Sequence, residues 1–203
     1  MFWKTSEPHG LPHNPFKSCV VPRPIGWISS ISADGHINLA PYSFFNGLAG
    51  EPPLVMFSNN GSPQKAAKDT LRNVEATGEF VCNMATWDLR DKMNASSAPV
   101  DADTNEFEIA GLEMAPSELV KPPRVKDAPI HMECVYVDTM ELPCETPGGR
   151  NVLVVGRVIG IHIKDAYMTD GMVDIERIRP LARMGYQDYT AVEKVFTLVR
   201  PEK

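Results

Sequence analysis

The 203 residues contain no run of about 18 consecutive apolar residues, which excludes a membrane-spanning helix. The opening stretch, MFWKTSEPHGLPHNPF, lacks the apolar centre of a secretory leader, so a soluble, cytoplasmic chain is the expectation. Cysteine is scarce and scattered. Cys19, Cys82, Cys134 and Cys144 show no C-x-x-C spacing, so neither a zinc site nor a redox dithiol is written locally, and buried thiols are the simpler reading. His9 and His13 stand at i, i+4, but Pro8, Pro12 and Pro15 forbid the helix that would align them, and no metal site is expected. No block of like charge occurs, and 20 Lys and Arg against 26 Asp and Glu leave a net charge of −6. Such a chain is a poor phosphate-tracking nucleic-acid binder. No G-x-G-x-x-G, P-loop or internal repeat is present, so the usual nucleotide cradles are missing.

What the chain does have is proline, 18 residues of it, within a composition (43% hydrophobic, 23% charged) that is otherwise ordinary for a globular protein. Many prolines predict short elements separated by turns rather than a helical bundle. Residues 1–22 read as an N-terminal arm, and residues 23–203 as one domain. Strands are expected from Pro24 to Ser32, with a turn at Ala33-Asp34-Gly35, from His36 to Ala40, and from Pro53 to Ser58. Ser62-Pro63 is a helix start, with Ala67, Leu71 and Val74 at helical spacing up to Gly78. A strand from Glu79 to Met84 and a helical stretch from Thr86 to Ala98 follow. Residues 99–129 read as an irregular excursion with one short helix. His131 to Leu142 and Val152 to Ile163 read as strands around a Pro147-Gly148-Gly149 turn, and Val195 to Val199 as a strand closing the sheet. This order lacks the βαβ alternation of a doubly wound fold. A mainly β fold with peripheral helices, built as a closed or partly closed antiparallel barrel, is expected.

The richest segment runs from Arg23 to Ser58, where Ser29, Ser30, Ser32, Asn38, Ser43, Asn46 and Ser58 alternate with apolar residues. Buried polar groups need partners, and each serine alone is explained by a bond to nearby backbone. Together they also describe a groove for a flat heteroaromatic ligand such as flavin, with Trp27 and Phe44 as apolar walls. A helix opening at Ser62 favours a phosphate, with Lys65, Lys68 and Thr70 adding charge and a hydroxyl; a plain solvated helix face carrying a Lys65–Asp69 pair explains the same residues. Arg183, in Pro-Leu-Ala-Arg-Met-Gly-Tyr (180–186), either favours an anionic reduced flavin or pairs with a carboxylate. His162, inside an apolar strand, reads as a satisfied core histidine.

Ordered motifs then accumulate: Arg-Pro-Ile-Gly-Trp-Ile-Ser-Ser (23–30), Asp-Gly (34–35), Asn-Leu-Ala-Pro-Tyr-Ser-Phe-Phe-Asn (38–46), Pro-Pro-Leu-Val-Met-Phe-Ser (52–58), Lys-Asp-Thr (68–70), Thr-Gly-Glu-Phe-Val (77–81), Gly-Arg-Val-Ile-Gly-Ile-His-Ile (156–163) and Asp-Gly-Met-Val-Asp (170–174). With these motifs the sequence resembles the flavin reductase-like, flavoredoxin-type family. The resemblance implies a split β-barrel binding FMN non-covalently, as a homodimer with the cofactor near the subunit interface. It implies that Trp27, Ile28, Ser29, Ser30, Ser43 and Phe44 border the ring and ribityl chain, that Asn46 and Ser58 support that pocket, and that Lys68, Asp69 and Thr70 lie at the phosphate. The expected activity is hydride transfer from NADH or NADPH to the flavin, with no catalytic side chain and with a partner monooxygenase or electron-transfer protein as acceptor. An FMN electron carrier reduced by another protein and a flavin-free binding module are the alternatives.

Overall fold

The computed structural model describes residues 1–61, 69–101 and 103–201. In chain order the elements are α1 (Phe16–Cys19), β1 (Arg23–Pro24), β2 (Gly26–Ile31), β3 (Ile37–Tyr42), β4 (Phe45–Gly50), β5 (Pro53–Gly61), α2 (Asp69–Thr77), β6 (Glu79–Met84), α3 (Arg90–Ala95), α4 (Glu106–Ile109), β7 (Met114–Ala115), β8 (Arg124–Val125), β9 (Ile130–Leu142), β10 (Arg150–Ile163), β11 (Met168–Thr169), β12 (Met172–Val173), α5 (Ile175–Ile178), β13 (Leu181–Arg183) and β14 (Tyr189–Ala191). Strands pair in the order β3-β2-β6-β9-β10-β5-β4 into one antiparallel sheet, and β1, β13 and β14 form a smaller one. Among the described residues no helix is long and apolar enough to cross a membrane.

The large sheet curls on itself. Tyr42 of β3, at one edge, packs against Phe57 of β5, next to the other edge, with ring centroids 4.9 Å apart, and Phe57 meets Phe80 of β6 edge-on at 5.6 Å. Ile28, Val55, Val152 and Val154 complete this interior, and Leu71 and Val74 of α2 join it. Strands from both ends of the pairing order share one core, which makes the sheet a split barrel wall. Gly156 of β10 is required there: a Cβ on it would run into the Phe80 ring. The helix ends where expected, because Gly78 (φ +74) adopts the left-handed turn and its N–H closes on the Val74 carbonyl at 2.9 Å. The expected start at Ser62-Pro63 lies outside the described residues.

A second core covers the outer face of β2 and β3. Ile25, Trp27 and Leu39 pack there with Leu89, Met93, Phe107, Leu112 and Val125. The excursion at 99–129 is therefore a packed layer carrying α4 and the β7–β8 hairpin. Strand side chains fasten its main chain. Glu133 accepts the N–H groups of Glu118 (2.8 Å) and Leu119 (2.6 Å), and Glu79 accepts that of Lys121 (2.9 Å). Ser29 donates to the Pro123 carbonyl, and the His131 ring nitrogen Nε2 donates to the Val125 carbonyl at 2.7 Å. Backbone groups without a sheet partner are thereby satisfied. Glu133 itself is fully buried, and His162 of β10 bonds to it, so His162 is a partnered histidine. Burial pushes the Glu133 carboxyl up, but the Glu118 N–H, His162 and the Leu119 N–H outweigh it and hold the group below the usual carboxylate range.

Two expectations are corrected. Val195–Val199 is not a strand: its apolar side chains are exposed, and β14 takes the place beside β13 instead. β-branched residues can pair only where an edge is free, and both edges of β13 are occupied by β1 and β14. The helix expected over Thr86–Ala98 divides into a single 3-10 turn at Trp87–Leu89 and α3. Of the cysteines, Cys82 and Cys134 are buried thiols, whereas Cys19 is exposed and Cys144 half-buried.

Burial lowers the His131 pKa to about 4, with Arg124, His162 and Lys164 adding repulsion against the bond to Val125. The unfolded chain takes up this proton near pH 6.5 and the folded chain refuses it until about pH 4, so stability is lost as pH falls through that window. The wild type should lose up to about 1.4 kcal/mol per pH unit more than His131→Gln between pH 6.5 and 4 in urea unfolding. Parallel curves for the two proteins would contradict this assignment.

Candidate functional site

One groove runs from Asp69 and Thr70 of α2 to Arg183 of β13, as three hollows that share walls. The first, about 220 Å³, lies between Asn38, Ala40, Pro41 and Tyr42 of β3, Asp69 and Thr70, and an opposite wall of Ser96–Val100 with Glu106. The second, about 190 Å³, shares Pro41 and Ser97 with the first and adds Ser43, Met93, Asn94 and Arg183. The third, about 600 Å³, shares Met93, Asn94, Arg183 and Tyr189 with the second and reaches Trp87, Arg90 and Gln187.

Each wall is held from behind. The reversal at Ser43-Phe44 is tied to β5 by the Ser58 N–H, which donates to the Phe44 carbonyl at 2.8 Å, and by the Phe45–Phe57 register. The opposite wall follows α3, and Trp27 fixes it: the buried indole N–H donates to Ser96 Oγ at 2.9 Å, and Ser96 donates to the Met93 carbonyl at 2.8 Å. In the first hollow the Glu106 carboxylate accepts the Leu39 N–H at 2.9 Å. The Asn38 amide turns its nitrogen to Glu106 (3.3 Å) and its oxygen to the Thr70 hydroxyl (2.8 Å). Burial keeps the Tyr42 phenol protonated, pushed well above its usual value; its bond to Thr70 opposes this, and Asp69 and Glu106 reinforce it.

The other end of the groove is cationic. Arg183 donates to the Tyr189 hydroxyl and the Tyr186 carbonyl, lies 4.3 Å over the Tyr189 ring, and has no carboxylate partner among the described residues. Its register partner Arg23 is 5% exposed. Arg23 donates to the carbonyls of Lys17, Val20 (2.7 Å) and Met184 (2.8 Å), and its guanidinium stands 5.7 Å from the Phe44 ring centroid. Burial and then the Arg183 charge pull its ionisation below the ordinary guanidinium value. These bonds clamp the arm against the 183–186 loop, where Gly185 is needed because a Cβ would collide with Ser18.

The structure thus brings Ser43, Asp69, Thr70 and Arg183 onto one groove. Trp27, Ile28, Ser29 and Ser30 lie fully buried in the two cores instead. Ser30 Oγ accepts from the Asn73 amide (3.1 Å), and the Asn83 amide donates to the Trp27 carbonyl (3.0 Å) and Ser29 Oγ (3.2 Å). These side chains support the groove from behind rather than line it. Phe44 is half-buried under Arg23, and Ser58 donates to the Asn60 side chain at 3.0 Å. Asn46 is exposed, its amide accepting the Gly47 N–H. Lys68 and Lys65 lie outside the described residues. Sequence reasoning missed Glu106, Ser97, Asn94 and Tyr189. Nothing local marks Glu106, whose place follows from the packing of α4 on β3, but Asn94 and Ser97 sit just where a helix ends in small polar residues.

The flavin reductase like domain model matches residues 18–180 of the chain. The chain belongs to the flavin reductase-like family. An uncharacterized protein of Aquifex aeolicus is 38% identical over 174 residues, 84% of each chain. Among solved structures, nitrilotriacetate monooxygenase component B from Bacillus cereus is 28% identical, with a TM-score of 0.88, covering 98% of this chain and 99% of the other. The Pseudomonas fluorescens 2-nitrobenzoate 2-nitroreductase NbaA is 26% identical, with a TM-score of 0.79, covering 92% and 88%. The matched segment begins inside α1 and includes both walls of the first hollow, while Arg183 and Tyr189 fall beyond it.

Gly185→Ala should release the arm while leaving the barrel intact. The expected outcome is faster tryptic cleavage after Lys17 with an unchanged thermal midpoint; equal cleavage rates would show that the Ser18 contact does not hold the arm.

Proposed function

We propose that the chain is an FMN-dependent oxidoreductase that takes hydride from NADH or NADPH. The observation that carries this reading is the polarity of the groove, with hydroxyl and amide groups at Asn38, Ser43 and Thr70, apolar Pro41 and Met93 between, and at the far end an Arg183 cation with no carboxylate partner among the described residues. These residues fit FMN, with the phosphate end toward the Lys68-Asp69-Thr70 run and the ring toward Ser43 and Arg183. Bound FMN supplies the two-electron chemistry. The chain supplies position and field: Pro41 and Met93 exclude water from the walls, while Arg183, with Arg23 behind it, favours negative charge at the ring end. The two solved relatives, one a monooxygenase component and one a nitroreductase, support an oxidoreductase, and the first supports a partner monooxygenase as acceptor.

A homodimer belongs to the same proposal. Support comes from exposed apolar side chains at Val137, Met140, Ile159 and Ile161 on β9 and β10, and at Phe196, Leu198 and Val199 in the C-terminal segment, which a partner subunit would cover. Light scattering should give twice the 22.4 kDa chain mass, and a monomer mass would refute the dimer.

The purified chain should take up FMN, and anaerobic mixing with NADH or NADPH should bleach the bound cofactor. Uptake without bleaching by either donor would make it an electron carrier served by another protein, and no uptake would make it a flavin-free module. Arg183→Gln should weaken reduced FMN about tenfold more than oxidised FMN, as loss of one charge-assisted contact predicts, read as a lowered midpoint potential. An unchanged potential would remove Arg183 from the ring.

A further inference from the structure

The C-terminal segment and one edge of the large sheet have matching deficits. Val195-Phe196-Thr197-Leu198-Val199 alternates β-branched residues with large apolar ones, the composition of a strand, yet it forms no strand within its own chain. Phe196, Leu198 and Val199 are 80%, 84% and 85% exposed, and the segment is tied to the fold at its start, where the Val195 N–H donates to Glu176 of α5 at 2.7 Å. It lies beyond residues 18–180, so the family's domain does not account for it.

β4 is a free edge of the seven-stranded sheet, paired within it to β5 alone. Edge strands are ordinarily blunted by charge or proline, because a row of open N–H and C=O groups invites another strand. Phe45–Gly50 carries neither, and residues 46–50 are all exposed. The Ser58 N–H takes the Phe44 carbonyl, and the alternation of an antiparallel ladder then turns the main-chain groups of Phe45 and Gly47 away from β5. The Gly47 N–H bonds to the Asn46 side chain instead. Beside this edge the outer face of the sheet is apolar. Val55 and Phe57 turn into the barrel, so Leu54 and Met56 face outward, half-buried, with Val155 opposite Met56. The second core covers the outer face of β2 and β3, at the other end of the pairing order.

One chain thus carries a strand without an edge and an edge without a strand, and a second copy supplies what each lacks. We infer that Val195–Val199 of one copy pairs along β4 of a second copy, with Phe196 and Leu198 laid on the apolar outer face at Leu54 and Met56, and that the exchange is reciprocal. This rests on the homodimer reading above and names the surfaces that build it. Five residues of strand span about 16 Å, which the six residues of β4 accommodate. The two arms withdraw roughly 1,000 Å² of their own apolar surface from water and cover a similar area beneath, which reaches the roughly 1,200–2,000 Å² of a stable interface. Main-chain bonds along the edge give the affinity, and the alternate side chains give the specificity. Exchange about a two-fold axis uses both free edges and closes the assembly, whereas one-way pairing leaves an edge and a tail open and propagates a fibre.

The test measures the dimer dissociation constant by sedimentation for the full chain, for Phe196→Asp with Leu198→Asp, and for Leu48→Lys on the β4 edge. All three side chains are exposed in the single copy, so each variant should keep a cooperative thermal transition, which reports an intact barrel. Both variants should weaken the dimer at least about tenfold, as loss of an apolar anchor does. A mixture of Leu48→Cys chains with Leu198→Cys chains should be joined by a short bismaleimide faster than either variant alone, which accounts for the native exposed Cys19. The two readings fail separately. A monomeric wild type removes the dimer and this pairing with it. A dimeric wild type with an equally dimeric tail variant keeps the dimer and overturns the pairing. A tail variant that dissociates while Leu48→Lys does not, without faster crosslinking in the mixture, puts the tail on another surface and also overturns it.

Discussion

β2 is buried on both faces, and the rest of the molecule is arranged around that constraint. Ile28 points into the barrel among Phe57, Phe80 and Val154, while Trp27, one residue away, points outward among Leu39, Met93 and Phe107. A strand enclosed this way must satisfy every polar atom internally. Ser29, Ser30 and the Trp27 indole do so by reaching Pro123, Asn73 and Ser96, three segments distant in sequence. Those bonds register α2, α3 and the excursion against one strand, and the groove is the gap left between the elements they position.

The distribution of charge follows a similar rule. Acidic groups inside the structure are saturated by main-chain N–H donors or by histidine, as at Glu106 and Glu133, and they serve architecture. Arg23 and Arg183 at the groove end are bonded instead to carbonyls, a hydroxyl and aromatic faces, which orient the cation without cancelling it. A net charge of −6 thus coexists with a local cationic patch. The local field at the groove end is set by which charges lack a countercharge, not by the overall balance.

Most strand positions of the large sheet were legible because period-two patterning and turn residues mark them, as at Glu79–Met84 and around Ala33-Asp34-Gly35, whereas β4, β13 and β14 were not read from the sequence. The family followed from several motifs in fixed order. The site was legible only in part. The density of small polar residues between Arg23 and Ser58 correctly marked buried hydrogen bonding, but sequence cannot tell a serine that lines a groove from one that braces it, since both are hidden from water and both need a partner. Ser43 lies on one side of that distinction and Ser29 and Ser30 on the other. Glu106 was invisible for the complementary reason: its role depends on α4 packing across β3, a contact 67 residues apart in sequence. Val195–Val199 shows the limit of propensity, since its apolar residues stay exposed and the place beside β13 is taken by β14.

The fastening of the excursion has a consequence for how this region can change. Glu133 and Glu79 grip the main-chain N–H groups of residues 118, 119 and 121, atoms that every amino acid except proline carries. The barrel therefore recognises the path of that loop as well as its buried side chains, such as Val120. Exposed side chains there can change without loss of the anchoring, provided no imino acid occupies one of the three gripped positions, so surface variation is uncoupled from the scaffold.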